Sequence, residues 1–422
     1  MTTSADNEID QSEWLQNYLA HPGIDDPYPR LARLREEQPA CPIAQGAWVF
    51  TRYEDIDAIL RDRSWSRFEA AKTEFGDVGA DSSPDLVRAK NASLMMLINR
   101  DEPDHSRIRN LLRKAFTPRA IESWAPRVQQ IVDTTFNKAV HSPEIDFLAE
   151  VAYPVPEIVI CELMGVPPED HALWGEWSAA NVARRRSGSE TSQDHAEADT
   201  ATVKFYNYFK DLVGERRRNP GDDLVSVLCA AEEAGDRLTE DELIGTLIML
   251  VTAGHETTAN TSANGLYTLL WHPDQLEILR RDPALVPQAV EEMLRYEPTV
   301  RTGLPRMSLC PVTIGDVTIP AGSRAILMRN AANRDPDIND DPDRFDVQRT
   351  NIRHMAFGAG IHFCLGAALA RLELTKIIEK VVREFPEIRL VEQPTWRDTQ
   401  VRSLNSLRVN LGPRVLSGSR ST

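Results

Sequence analysis

The 422-residue chain has few cysteines, and none stands in the paired spacing of a zinc site. Its five cysteines are scattered, odd in number and without a CxxC motif. That pattern argues against a disulfide-stabilised secreted fold and against a structural zinc site. It favours a reducing, cytoplasmic location, and any chemistry at a cysteine must use a single thiolate.

Long apolar runs and an excess of positive charge are absent as well. The longest apolar run, residues 243–254, contains glycine and threonine and is shorter than the roughly 18 to 20 residues that a spanning helix needs. The polar start MTTSADNEIDQSEW lacks the basic and apolar regions of a signal peptide, so we expect no membrane anchor. A net charge of −16 disfavours a nucleic-acid partner, because phosphate backbones bind clustered positive charge.

Helical periodicity dominates the chain. Apolar residues at 3.6-residue spacing predict helices over 27–37, 53–62, 105–117, 119–139, 145–164, 199–218, 240–271, 284–296 and 365–385. Short strands are predicted at 47–51, 312–319, 325–328 and 407–411, and a polar loop at 187–199. The predicted fold class is therefore mainly α with minor β.

The helix predicted over 240–271 carries polar groups at its centre. Thr239 and Glu242 form a capping box at its start. Near its middle the sequence AGHETT places the carboxylate of Glu256 and the hydroxyl of Thr257 in an otherwise apolar helix. Such groups are costly to bury unless they are satisfied, so they are candidates for function.

The decapeptide at 357–366, FGAGIHFCLG, carries the strongest signal. Its three glycines allow tight turns, and Cys364 precedes a predicted helix. A thiolate at a helix N-terminus is favoured by the helix dipole and by free backbone N–H groups. For a lone cysteine, a buried structural role is the commoner explanation. The glycine spacing, together with Phe357 and His362, favours a metal-binding thiolate instead.

This decapeptide resembles the haem-binding loop of the cytochrome P450 family, FGxGxHxCxG, at every defining position. The resemblance implies the cytochrome P450 fold and haem b (iron protoporphyrin IX) as the cofactor. Cys364 would be the axial iron ligand, and Phe357, His362 and Gly366 would complete the cofactor-binding loop.

The other family motifs recur in the expected order, over roughly residues 25 to 412. This extent implies one haem domain at 25–413, a partly flexible segment at 1–24 and a flexible tail at 414–422. Glu292 and Arg295 match the family's ExxR motif. Arg344 matches the arginine that joins this pair, so the three are expected to form a structural network behind the haem.

The resemblance also implies the residues that bind the haem propionates. His105 and Arg109 match the positions on a propionate-binding helix, and His362 lies in the cysteine loop. Arg306 matches an arginine on a strand, although its distance in sequence from the ExxR motif is one residue longer than usual.

The motif at 253–258 resembles the family's distal helix. Ala253 would leave room for dioxygen, and Glu256 and Thr257 would deliver protons, because one oxygen atom must leave as water through a dry site. An alternative stays open, in which Thr257 only bonds back to the carbonyl four residues earlier.

The implied reaction inserts one oxygen atom of dioxygen into an apolar small molecule, usually as a hydroxylation. Electrons would come from NAD(P)H through ferredoxin reductase and ferredoxin. By register, the substrate pocket is expected to include Met95, Met96, Ile98, Met249, Ala253, Val300 and Leu404. The methionines imply an adaptable apolar pocket. A fatty acid, a terpenoid, a steroid or a macrolide would each fit it.

The segment 105–119 is locally basic, with five Lys or Arg residues and no Asp or Glu. The family resemblance places it beside the haem, on the side from which Cys364 approaches. Ferredoxins are typically acidic, and complementary charge raises encounter rates. Arg113 and Lys114 are therefore predicted to dock the ferredoxin.

Two functions of other classes remain open at this point. A cysteine hydrolase would use Cys364 as nucleophile and His362 as base, and it would lack haem absorbance. A haem-thiolate gas sensor or carrier would bind haem without consuming dioxygen. The zinc-protease motif HExxH fails, because residue 259 is alanine.

Overall fold

The structure is a computed structural model, and it describes residues 11–75, 82–113, 116–171, 173–177, 192–233 and 236–415. Most of them are helical, as predicted. The helices are α1 (Gln11–Ala20), α2 (Tyr28–Glu37), α3 (Tyr53–Arg61), α4 (Arg67–Phe75), α5 (Pro84–Met95), α6 (Asp104–Arg113), α7 (Pro118–Ser123), α8 (Ala125–Ala139), α9 (Pro154–Met164), α10 (Ser192–Arg218), α11 (Leu224–Cys229), α12 (Glu240–Gly254), α13 (Glu256–Trp271), α14 (Pro273–Arg281), α15 (Val286–Tyr296), α16 (Arg329–Asn333) and α17 (Ala367–Glu384). No described helix is both long and apolar enough to cross a bilayer.

The strands form small sheets. They are β1 (Ala40–Ile43), β2 (Ala47–Phe50), β3 (Trp65–Ser66), β4 (Glu144–Asp146), β5 (Glu232–Glu233), β6 (Asp236–Arg237), β7 (Arg306–Ser308), β8 (Val312–Ile314), β9 (Val317–Ile319), β10 (Arg324–Leu327), β11 (Arg389–Leu390) and β12 (Arg408–Asn410). One sheet has the order β1-β2-β10-β7-β3, and another has the order β11-β12-β4. In the first, Arg306 lies opposite Ala325, and the Gly303 N–H donates to the Leu327 carbonyl at 2.9 Å. The end of β10 and the approach to β7 are therefore neighbours.

The main apolar core is built largely by α8, α9, α12, α13, α15 and α17. Helix α1 adds a smaller cluster, in which Leu15 is 0% and Tyr18 is 2% exposed. Residues 11–20 of the segment expected to be partly flexible are therefore a packed helix. At the other end, Arg414 donates to the Glu384 carboxylate at 2.7 Å, and residues 416–422 lie outside the described part.

The capping box at the start of α12 is present, with Glu242 accepting from the Thr239 N–H at 2.9 Å. The prediction of one continuous helix over 240–271 was wrong, since α12 ends at Gly254 and α13 begins at Glu256. The prediction of a loop was also wrong for residues 192–199, which open α10. They are helical because Ala198 is fully buried and Asp199 pairs with Lys90 at 3.1 Å.

Candidate functional site

The cysteine loop is shaped by glycines that a larger residue could not replace. Gly360 has a positive φ of 66°, and a Cβ atom there would lie 2.3 Å from the Leu60 carbonyl oxygen at the end of α3. Gly358 also has a positive φ, of 71°. The loop returns on itself where the Cys364 N–H donates to the Phe357 carbonyl at 2.9 Å.

Cys364 lies two residues before Gly366, the N-cap of α17. Cys364 is exposed by surface area, but desolvation by the surrounding protein atoms raises the pKa of its thiol. A hydrogen bond from the Gly366 backbone opposes this rise, as do the positive charges of Arg329 and Arg109. Backbone N–H groups at a helix start and nearby arginines are the groups that stabilise a thiolate.

A cluster of basic side chains that form no ion pair within the described part of the chain lies beside the loop. The His105 and His362 rings lie 4.5 Å apart. Both ring nitrogens of His105 and the Nε2 atom of His362 are buried without a hydrogen-bond partner in the described part of the chain. Arg306 is 4% exposed and donates to the carbonyl of Leu304 at 3.0 Å. The structure thus brings together three of the predicted propionate-binding residues.

In this basic cluster, burial lowers the pKa values of Arg306 and His105 by more than the nearby carboxylates raise them. Burial, and then the charges of Arg67 and Arg329, lower the pKa of Arg306 to about 9. Burial, and then Arg109, lower the pKa of His105 to about 4. A buried cation is costly without a counter-ion, so the cluster is built to receive an anionic group such as a carboxylate.

Arg109 contacts the cysteine loop itself. Its guanidinium donates to the carbonyls of Ile361 at 3.1 Å and Phe363 at 2.8 Å. Arg107, two residues earlier on α6, instead pairs with Glu242 and Asp236. Helix α6 is thus fixed to the loop on one side and to the start of α12 on the other.

Three side chains at the break between α12 and α13 bond back to carbonyls of the preceding turn. The Nδ1 atom of His255 lies 3.0 Å from the Val251 carbonyl. The Thr257 hydroxyl donates to the Ala253 carbonyl at 2.9 Å, and Thr258 repeats this pattern one residue later. Side chains that bond to carbonyls of the preceding turn bend helices. The alternative interpretation of Thr257 required a hydrogen bond to the carbonyl four residues earlier, and that bond is present.

A polar cluster joins α13 to the start of α9. The side-chain amide of Asn260 donates to the Glu256 carbonyl at 2.9 Å and lies 3.5 Å from the Tyr153 hydroxyl. Burial raises the pKa of Tyr153, and the negative charge of Glu256 adds to that rise. The Glu256 carboxylate is therefore close to the Tyr153 hydroxyl.

The ExxR pair is completely buried, with Glu292 and Arg295 joined at 2.7 Å. The third member of the network is Arg349, whose Nε donates to Glu292 at 3.1 Å. The prediction of Arg344 was wrong, because its side chain is 62% exposed and pairs with Asp346. Only the Arg344 carbonyl takes part, as an acceptor for Arg295.

A second ion cluster, which the sequence analysis did not predict, contacts the cysteine loop at Phe357. Glu291 accepts from Arg371 at 2.6 Å and lies 3.2 Å from His354. Burial opposes ionisation of Glu291, but these two partners hold its pKa down at about 2. The Arg371 guanidinium lies 4.5 Å from the Phe357 ring centroid. No local pattern marks Arg371, because its partners come from distant parts of the chain.

The predicted substrate-pocket residues lie on several elements. Met95 ends α5, and this helix and the turn after it, which contains Met96 and Ile98, pack against α12. Helix α12 carries Met249 and Ala253. Val300 forms a β bridge with Val401, and Leu404 is fully buried in the main core.

Comparison with known proteins decides the family. A sequence model described as Cytochrome P450 matches residues 188–401. Cytochrome P450 107B1 of Saccharopolyspora erythraea is 40% identical over 405 residues, which cover 92% of this chain and 95% of that protein. The chain belongs to the cytochrome P450 family. Vitamin D(3) 25-hydroxylase of Pseudonocardia autotrophica is another relative of this P450, at 37% identity over 92% of this chain and 94% of that protein.

Solved cytochrome P450 structures agree with this assignment. CYP164A2 of Mycobacterium smegmatis has a TM-score of 0.83 and 37% identity to this P450, over 95% of this chain and all of that one (100%). Members of the family bind haem b through a cysteine thiolate. This P450 is thus a haem-thiolate monooxygenase that takes electrons from a redox partner and acts with dioxygen on a small molecule.

The residues present fit haem b. A thiolate ligand needs nearby positive charge, which Arg109 and Arg329 supply to Cys364. The unpartnered nitrogens of His105 and His362 and the buried Arg306 would receive the two carboxylates of the porphyrin. The structure thus provides Cys364 for the iron and a separate set of basic side chains for the two carboxylates of the porphyrin.

Proposed function

We propose that this P450 hydroxylates an apolar small molecule and that Cys364 is the axial ligand of its haem. The main support is the cysteine loop, which presents one thiol next to the Gly366 backbone and three arginines, beside a cluster of basic side chains with unpartnered ring nitrogens. When bound, haem b supplies the activation of dioxygen, assisted by electron donation from the thiolate.

The chain's own residues would hold the cofactor in defined ways. His105, His362 and Arg306 would bind its carboxylates, and Arg109 would fix the loop through two carbonyls while adding positive charge. Phe357 and Gly366 would shape the loop around Cys364. Ala253, with no side chain beyond Cβ at the break between α12 and α13, would leave space above the iron for dioxygen.

Glu256 and Thr257 would move protons at this break. The Thr257 hydroxyl donates to the Ala253 carbonyl in the structure, so its oxygen can still accept a hydrogen bond and hold a neighbouring donor in place. The Glu256 carboxyl group, close to Tyr153, would supply the proton when it is protonated and would then take up another from solvent. Positioned acid–base groups of this kind contribute about 100-fold to 10,000-fold to rates.

Substitution of Thr257 tests this proton path. Thr257→Ala should keep substrate affinity, lower the product formed per NAD(P)H consumed and release the difference as hydrogen peroxide, because protons no longer arrive in time. Thr257→Ser should restore coupling. Glu256→Gln should slow dioxygen turnover by about 100-fold with little change in affinity. The measurements are product, peroxide and NAD(P)H in one assay.

Thr258→Ala is the matched control. Thr258 makes the same bond to a carbonyl four residues earlier, but it has no assigned role in proton delivery. If Thr258→Ala uncouples turnover as strongly as Thr257→Ala, the effect comes from the helix break and the relay is disproved. Wild-type coupling in both Thr257→Ala and Glu256→Gln would disprove it too.

We propose a ferredoxin, reduced by a ferredoxin reductase, as the electron donor, and α6 as its docking helix. Arg109 ties α6 to the cysteine loop, which places this helix next to the proposed iron ligand. Arg107 is engaged with Glu242, whereas Arg113 at the end of α6 is exposed. Lys114 lies outside the described residues. Charge complementarity with an acidic ferredoxin supports this surface.

Charge reversal tests the docking surface. Arg113→Glu combined with Lys114→Glu should slow electron transfer from reduced ferredoxin to the haem by about tenfold or more at low salt. The absorption spectrum of the haem should stay unchanged. The defect should shrink as salt screens the charges. Arg217→Glu with Arg218→Glu, at the end of α10, is the matched control. Equal stopped-flow rates for the two double variants at low salt would remove α6 from the docking site.

The substrate would occupy the apolar region around Met96, Ile98 and Met249, bounded by the other predicted pocket residues. A fatty acid, a terpenoid, a steroid and a macrolide remain candidate substrate classes. Optical titration of the purified protein with one member of each class would separate them, because a substrate that displaces water from the iron shifts the spin state. We also propose a cytoplasmic location, supported by the scattered cysteines, which form no disulfide among the described residues.

A further inference from the structure

Arg329 is a partly buried arginine that belongs to none of the family motifs. It is the first residue of α16 and lies two positions after Leu327, the last residue of β10. Its Nε atom is buried and has no hydrogen-bond partner among the described residues. Burial lowers its pKa to about 10, a shift opposed by the negative charge of Cys364.

Two glycines make room for this guanidinium. A Cβ atom on Gly303 would lie 2.9 Å from Arg329 Nε, and one on Gly358 would lie 3.3 Å from Arg329 Nη2. Gly358 belongs to the cysteine loop, and Gly303 lies three residues before Arg306. The Arg329 side chain therefore lies between the cysteine loop and the segment that leads into β7. It is close enough to Arg306 and Cys364 to affect the pKa of both.

A guanidinium with a buried, unpartnered Nε atom is stabilised by a nearby anion, whereas Arg306, whose pKa it lowers, has the same sign of charge. We propose that Arg329 contacts the haem: its guanidinium binds a haem carboxylate together with Arg306, and its charge raises the reduction potential of the iron. This inference rests on the proposed function. A nearby positive charge favours the ferrous state over the more positively charged ferric state, so its loss lowers the potential.

The test uses three variants of the full-length holoenzyme. Arg329→Gln removes the charge, and Arg329→Lys keeps the charge but loses the planar fork that binds a carboxylate at two points. Gly303→Ala displaces the guanidinium without changing any charge. The matched control is Arg324→Gln, because Arg324 lies on β10 but its side chain is 45% exposed and pairs with Glu74. The measurements are the rate of haem transfer to excess apomyoglobin and the equilibrium reduction potential.

Arg329→Gln should lose haem about tenfold to 100-fold faster than the wild type, as expected for one charged hydrogen bond. The reduction potential of Arg329→Gln should fall, by about 59 mV for each tenfold shift of the ferric–ferrous equilibrium toward the ferric state. Arg329→Lys should keep most of the potential but lose haem faster, and Gly303→Ala should also lose haem faster. Arg324→Gln should match the wild type in both measurements.

Wild-type haem transfer and potential in Arg329→Gln would overturn the inference, and so would equal changes in Arg324→Gln. If Arg329→Gln does not fold, wild-type haem transfer in both Arg329→Lys and Gly303→Ala would overturn it. Failure of the proposed function is distinguishable, since the wild-type protein itself would then lack the red-shifted absorption of a thiolate-bound, carbon-monoxide-ligated haem.

Discussion

Glu292→Gln is expected to prevent this P450 from accumulating as a folded, haem-containing protein. The Glu292 carboxylate, 0% exposed, accepts from Arg295 at 2.7 Å and from Arg349 at 3.1 Å. It also accepts from the Asp346 backbone N–H at 3.0 Å. An amide at this position would leave two arginines without a counter-ion. Breaking a buried pair costs about 3–5 kcal/mol, a large part of the roughly 5–15 kcal/mol that stabilises a domain.

Arg344→Gln is the matched control for this prediction, because the side chain of Arg344 is exposed and only its carbonyl joins the network. We expect its yield and thermal unfolding to equal those of the wild type. Arg349→Gln should be destabilised, but less than Glu292→Gln, since the Glu292–Arg295 pair survives. Haem-bound yield and the midpoint of thermal unfolding are the measurements. Greater damage from Arg344→Gln than from Arg349→Gln would contradict the structural assignment.

Features encoded by local spacing were predictable from the sequence. The capping box of α12 needs only Thr239 and Glu242 at the right separation, and the structure confirms both hydrogen bonds. The cysteine loop was recognisable by its resemblance to the family pattern FGxGxHxCxG, whose glycines meet local requirements such as the positive φ of Gly358 and Gly360. The mainly helical fold followed in the same way from the 3.6-residue period.

Features that depend on tertiary contacts were not predictable. Apolar periodicity runs through His255, yet the helix divides there, where side chains bond to carbonyls of the preceding turn. Arg344 and Arg349 follow the same Asp-Pro segment, and only the folded backbone decides which of them reaches Glu292. Arg329 belongs to no sequence motif. Only the folded structure shows that its guanidinium occupies the space left by Gly303 and Gly358.

Cys364→His is expected to have the largest effect on the haem centre. The imidazole can still bind iron, so some haem should be retained. The reduced carbon-monoxide complex should nevertheless lose its red-shifted band, because that band requires a thiolate ligand. Replacing any other cysteine should leave the band in place. Cys161, which is buried, and Cys310, which is exposed, are suitable controls, since they cover both environments.

The absorption spectrum of the reduced, carbon-monoxide-bound protein is therefore the most direct test of the account. The wild type and the Cys161→Ser and Cys310→Ser variants should show the red-shifted thiolate band, and Cys364→His and Cys364→Ala should not. A normal band in Cys364→Ala, or no such band in the haem-loaded wild type, would contradict the assignment of Cys364 as the ligand of a haem-thiolate monooxygenase.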